Sequence, residues 1–101
     1  MPSDKQVFIG GAPTIYNVDM TSADTEYSQE LPKGTKKVLI KLRSGAALLK
    51  LSYVSGTPEA TPYITIPAGS SKYLEGVWLS AITLFFQSPT ASQVAEIEIW
   101  Q

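Results

Sequence analysis

A chain of 101 residues with eight basic and nine acidic side chains fits a single domain, residues 1–101. It contains neither cysteine nor histidine, which excludes disulfide scaffolds, Cys/His zinc sites, thiol catalysis and imidazole acid–base chemistry. A formal net charge of −1 supplies no bulk field toward nucleic acid or an anionic membrane, and neither is expected as a partner.

Size scaling puts the folded surface at roughly 5,600 Å², with about two-thirds of the unfolded chain's surface buried in one modest core. Apolar residues make up 44% of the chain and charged residues 17%, the latter below the usual quarter. Part of the apolar surface is therefore expected to be hidden by contact with something else. Residues 1–6 carry no basic region followed by an apolar one, so no targeting signal is expected. The longest apolar stretch, residues 77–86, is interrupted by Ser80 and Thr83 and has half the length of a membrane helix.

The pattern along the chain is that of β-strands. Residues 7–9, 14–17 and 26–30 are the weaker strand candidates. Over residues 37–43 the chain alternates, with Val38, Ile40 and Leu42 on one face and Lys37, Leu39, Lys41 and Arg43 on the other. Ser44-Gly45-Ala46 supplies a turn, and residues 48–54 form a second run with Leu49, Leu51 and Tyr53 on one face. These two runs read as a hairpin-like pair, closed by Ser55-Gly56-Thr57-Pro58.

Residues 63–66 form a short β-branched run ended by Pro67-Ala68-Gly69, and residues 71–74 another. Residues 81–87 alternate with Ile82, Leu84 and Phe86 on one face. Thr90 to Ala95 has room for one helical turn, though Thr and Ser are poor helix formers. Residues 95–100 place Ala95, Ile97 and Ile99 opposite Glu96, Glu98 and Trp100. The prediction is an all-β domain of about seven to nine short strands with little helix, a small antiparallel β-sandwich or jelly roll, with a small closed barrel as the alternative. Val38, Ile40, Leu42, Leu49, Leu51, Ile82, Leu84, Phe86, Ile97 and Ile99 are the expected core.

Charge is segregated. Residues 1–32 sum to −4, residues 33–50 to +6 and residues 51–101 to −3. The middle block holds Lys33, Lys36, Lys37, Lys41, Arg43 and Lys50 with no acid. It reads as the solvated face of a strand pair with lysines guarding an edge, or as a contact face for an acidic partner, including a neighbouring copy. Nucleic acid is the weaker third reading, because no aromatic interleaves the bases before Tyr53.

The inventory for catalysis is poor, and the chain is expected not to be an enzyme and to use no cofactor or metal. Glu96 and Glu98 would stand roughly 7 Å apart on one strand face, within the range of a glycosidase pair. Alternate glutamates on a polar strand face are the simpler reading. No serine is set for a Ser-x-x-Lys arrangement, and neither Gly10-Gly11 nor Ala68-Gly69-Ser70-Ser71 leads into a phosphate loop.

Ten residues are aromatic. Phe85 and Phe86 are adjacent, so one must point away from the core that takes the other. Trp100 shares a face with Glu96 and Glu98 and so lies off the main core. Exposed aromatics on a sheet suggest a sugar-stacking platform or a protein interface; a second, minor core under a loop is the alternative. The candidate interface residues are Trp78, Phe85, Trp100, Lys36, Lys37, Lys41 and Arg43.

A set of segments in order resembles small structural proteins of tailed bacteriophages. They are Leu31-Pro32-Lys33-Gly34-Thr35-Lys36-Lys37, Arg43, Pro62-Tyr63-Ile64-Thr65-Ile66-Pro67-Ala68-Gly69 with Glu75, Thr83-Leu84, Ser88-Pro89-Thr90, and Val94-Ala95-Glu96-Ile97-Glu98-Ile99-Trp100. The resemblance covers residues 27–101; residues 1–26 lie outside it and are expected to be an arm that differs between relatives. It implies a head decoration, cement or fibre-base component, made in the bacterial host cytoplasm and carried on the capsid surface of the virion. Its partners would be the major capsid protein and other copies of itself, as a dimer or trimer. A carbohydrate-binding or adhesion module on the virion, with Trp78, Tyr63 or Trp100 stacking beside Asn17, Gln87 or Glu75, and a neck or tail component are the alternatives.

Overall fold

The computed structural model describes residues 12–56, 60–76 and 78–101; the strand candidate at residues 7–9 lies outside them. Eight strands follow in chain order: β1 (Thr14–Met20), β2 (Tyr27–Leu31), β3 (Lys37–Leu42), β4 (Leu49–Ser52), β5 (Ile64–Ile66), β6 (Ser71–Glu75), β7 (Ile82–Gln87) and β8 (Gln93–Trp100). No α-helix occurs among the described residues.

Every pairing is antiparallel. β1 pairs β8, β2 pairs β7, β3 pairs β6 and β4 pairs β5, so the chain doubles back on itself as one long hairpin with its tip between β4 and β5. Rolling that hairpin sets β3 beside β8 and β4 beside β7. Two four-stranded sheets result, β1-β8-β3-β6 and β2-β7-β4-β5. This is the eight-stranded jelly roll, an open sandwich and not the closed barrel held as the alternative.

The inner faces meet in one core. Met20, Leu31, Val38, Ile40, Leu49, Leu51, Leu84, Phe86, Ile97 and Ile99 are fully buried, and Leu42 nearly so. Ile82 is only half-buried and packs on the core from the start of β7. The exposed area is 5645 Å², close to the value size scaling gives. On edge strand β6 the inward-alternating Lys72 stands across from Ile40, a charge that discourages edge-to-edge pairing.

Three expectations are corrected. The runs at 37–43 and 48–54 are not a hairpin: β3 and β4 lie in different sheets, and the turn at Ser44-Gly45-Ala46 carries the chain across the sandwich. Both strands need an apolar side facing the same core, which yields the same alternation whether they pair or face each other. Tyr53 does not continue the face of Leu49 and Leu51. The Ser52 hydroxyl accepts from the Val54 N–H at 3.1 Å and donates to the Pro62 carbonyl at 2.9 Å, turning the chain out of the sheet and leaving Tyr53 exposed. Finally, no helical turn forms at Thr90 to Ala95. The β7–β8 turn ends at Ser92, with φ 59°, and from Gln93 onward the main chain joins the ladder to β1.

Ile40 and Leu84 are both completely buried on facing sheets. Ile40→Ala or Leu84→Ala is expected to cost about 2–5 kcal/mol through lost burial and the cavity left behind. Thermal denaturation followed by circular dichroism reads this as a clear drop in melting temperature for each variant.

Candidate functional site

The segment between β2 and β3 ties one end of the molecule together. Gly34 takes φ 85°, a conformation that side chains with a Cβ adopt only at a cost. This turn lets the buried Thr35 donate its hydroxyl to the Pro32 carbonyl at 2.7 Å. The Gly34 N–H then donates to the Trp78 carbonyl at 2.8 Å, and the Trp78 N–H donates to the Thr35 carbonyl at 3.2 Å. On the other side the Lys36 N–H donates to the Trp100 carbonyl at 2.7 Å, and the Lys36 carbonyl accepts from Gly76 at 2.9 Å. Three of the candidate residues, Lys36, Trp78 and Trp100, thus meet through their main chains at one end.

Their side chains serve two different surfaces. Trp78, half-buried and packed on the core, lines an open hollow of about 650 Å³ with Tyr53, Leu74, Ala81, Ile82, Thr83 and Phe85. Trp78 and Phe85 are therefore brought together. Phe86 fills the core and Phe85 turns outward, as their adjacency requires. Tyr53 completes this aromatic group and was missed as a candidate, because alternation set it on the same face as Leu49 and Leu51. Thr83, the Tyr53 hydroxyl and the Trp78 indole N–H are the polar side-chain groups of the described lining. Asn17, Gln87 and Glu75, the expected sugar-binding partners, do not gather there: Asn17 and Glu75 lie on the outer face of the other sheet, and Gln87 is buried.

Trp100, Lys37, Lys41 and Arg43 belong to the outer face of the β1-β8-β3-β6 sheet. Glu96, at its centre, is held by Lys41 Nζ at 3.2 Å and Arg43 Nε at 2.8 Å. The hydrogen bond from Arg43, then that from Lys41, holds the Glu96 carboxyl below its ordinary pKa, the opposite of what a general acid requires. Lys50 is on the other sheet, with its ammonium 5.8 Å from the centre of the Tyr63 ring. The basic block of the sequence is thus divided between the two sheets. Beside the ion-paired cluster the same outer face shows Ile15, Leu39, Tyr73 and Trp100 around Glu98, with a shallow depression of about 200 Å³ between β1 and β3. Ile15 and Tyr73 were missed as surface residues of interest; an apolar residue on the charged side of an alternating strand, as at Leu39, was the available signal.

Among the described residues no group of three or more His, Cys, Asp or Glu is placed to hold a metal ion. Comparison with protein-family models, with curated proteins and with solved structures gives no match to this chain.

Two outcomes follow. Gly34→Ala meets no atom within 4 Å, so its cost is conformational, about 1–2 kcal/mol, and denaturant unfolding should register that loss; in a Trp100→Phe background it should also shift the fluorescence of Trp78. For Glu96, a pKa lowered by folding means that its ion pairs stabilise above the ordinary glutamate pKa and that this stabilisation is lost as pH falls through the lowered value. The wild type should therefore exceed Glu96→Gln in stability near neutrality, by less than about 1 kcal/mol for such surface pairs, and the difference should vanish on acid titration.

Proposed function

We propose that this chain is a non-enzymatic structural protein of a tailed-bacteriophage virion, bound to the outside of the head and strengthening it through contact with the major capsid protein. The observation that carries the reading is the hollow lined by Tyr53, Trp78 and Phe85 with Leu74 and Ile82. It is wide, apolar and rimmed by aromatics, the composition that anchors protein contacts. The main chain at Trp78 is tied on both sides by hydrogen bonds to Gly34 and Thr35. The jelly-roll body supports the reading, since capsid domains are among the proteins built this way. So does the ordered resemblance over residues 27–101.

The mechanism is mass action. A protein that binds the assembled lattice and not the dispersed subunits stabilises the lattice by RT ln(1 + [L]/Kd), about 2.7 kcal/mol per site at a hundredfold excess over Kd. Repeated at every equivalent site, that contact resists the outward pressure of packaged DNA.

A glycan-binding module is the second reading, and the aromatic rings of the hollow favour it. Jelly rolls also include lectins. Sugar recognition, however, needs several hydrogen-bonding side chains beside the rings, and the described lining supplies only Thr83, the Tyr53 hydroxyl and the Trp78 indole N–H, with no amide or carboxylate.

Virions of the encoding phage should contain this chain in hundreds of copies by quantitative mass spectrometry; a dozen or fewer would assign it to the neck, tail or fibre. In co-sedimentation with heads stripped of the protein, Tyr53→Ala and Trp78→Ala should each weaken binding roughly 30-fold, the loss of a hot-spot residue worth about 2 kcal/mol. Sugar binding in a glycan screen, abolished by Trp78→Ala and unaccompanied by any head binding, would overturn the proposal.

A further inference from the structure

On the outer face of the β1-β8-β3-β6 sheet, the registers Lys37↔Trp100 and Leu39↔Glu98 define a rectangle of four outward side chains on two neighbouring strands. The two charges, Lys37 and Glu98, occupy one diagonal; the two apolar residues, Leu39 and Trp100, occupy the other. Lys41 and Arg43 close on Glu96 one row away, but neither Lys37 nor Glu98 has an ion-pair partner among the described residues. Glu75 stands across from Lys37 on β6 and forms no ion pair with it. Tyr73, next to Leu39, is 47% exposed, and Ile15, next to Glu98, is 62% exposed. Among the described residues, a base and an acid without ion-pair partners and an apolar band share one face.

We propose that this rectangle is a self-complementary contact to a second copy of the chain. The two sheets lie face to face about a two-fold axis that runs in the plane of the interface along the Leu39–Trp100 diagonal. A side chain on such an axis meets its own counterpart, so Leu39 packs on the partner's Leu39 and Trp100 on the partner's Trp100. The four corners lie about 4.8 by 6.6 Å apart, so the axis carries each of the other two corners to within about 3 Å of the opposite one, near enough for Lys37 to reach the partner's Glu98 and Glu98 the partner's Lys37. Such a contact is isologous. Any other protein would have to present the same alternation of charge and apolar surface in reverse, whereas a second copy carries it already.

The face also sets the strength. Four strands about 4.8 Å apart and roughly six residues at about 3.3 Å give a projected area of about 400 Å², half of the roughly 800 Å² per partner of a standard interface. A footprint this small is that of a transient contact, so the dimer is expected only at high protein concentration. It goes beyond the head-binding reading and does not depend on it, because the hollow at Trp78 is lined by other residues.

Sedimentation equilibrium from roughly 10 µM to 1 mM tests the contact. The wild type should pass from monomer to dimer. Lys37→Glu alone and Glu98→Lys alone should each raise the dissociation constant at least about tenfold by setting like charges against each other, and the double exchange should return it to within about threefold of the wild type. A wild type monomeric throughout overturns the proposal, as do single exchanges without effect or a double exchange that restores nothing. A second measurement avoids reliance on charge reversal. Because the chain has no cysteine, Leu39→Cys introduces a single thiol that the axis sets against its counterpart. Face-to-face sheets stand about 10 Å apart, beyond disulfide reach, so a short bismaleimide is used to bridge the two thiols. It should give a covalent dimer of Leu39→Cys, while Thr65→Cys on the opposite sheet should give none; no cross-link at Leu39→Cys, or equal cross-linking at both, overturns the geometry. Head binding by the charge variants is measured alongside: its loss or retention bears on the proposed function, and the dimer stands or falls on the sedimentation and cross-linking alone.

Discussion

The register of β8 between β1 and β3 governs both the inside and the outside of this protein. β8 is flanked by strands along most of its length, so each residue is committed to one face. Ala95, Ile97 and Ile99 face the core and are buried. The intervening Glu96, Glu98 and Trp100 are thereby set among the outward residues of β1 and β3. A slip of one residue would drive two carboxylates into an apolar interior and expose three core side chains, a cost far above the stability of a domain this small. The position of Glu96 between Lys41 and Arg43, and the rectangle formed by Lys37, Leu39, Glu98 and Trp100, are consequences of a register that the core enforces.

A second constraint acts at the end of the sandwich where β2 crosses to β3. The sandwich leaves the crossing segment without a ladder partner, and its polar main-chain groups must be satisfied locally. Thr35 and the positive φ of Gly34 accomplish this by turning N–H and C=O groups toward the β6–β7 connection on one side and the C-terminal strand on the other. Trp78 is consequently held by its main chain, not only by its ring. The hollow it shares with Tyr53 and Phe85 is built on that frame, and an aromatic surface with a fixed backbone loses little entropy when something docks on it.

The two surfaces are physically independent. One is a concave aromatic hollow at the rim of β7 and the β6–β7 connection; the other is a broad sheet face of alternating charge and apolar residues. For a protein proposed to reinforce a shell, separate contacts for the lattice and for a sister copy would let each act without competing for the same residues.

The period-2 alternation determined the strand content, the inward faces of β3, β7 and β8 and nine of the fourteen buried apolar residues, because those properties depend only on residues near one another in the chain. Met20, Leu31, Ala47, Ile66 and Ala95 were not in the expected core. The same local logic foretold that Phe85 and Phe86 point in opposite directions and that Trp100 stands off the core. Strand partners were beyond it. Every inner face is apolar and alternating, so Val38-Leu39-Ile40 fits a neighbour in its own sheet or a strand across the core equally well, and only the closure of the long rolled hairpin decides between them. The grouping of Tyr53 with Trp78 and Phe85 is likewise tertiary: it depends on a turn made by the Ser52 hydroxyl and on a main-chain tie between residues 34–35 and Trp78. So is the division of the basic block, which is continuous in sequence. Crossing the sandwich between β3 and β4 sends Lys50 to one face and leaves Lys37, Lys41 and Arg43 on the other, because an apolar core between two layers puts their outward side chains on opposite sides of the molecule.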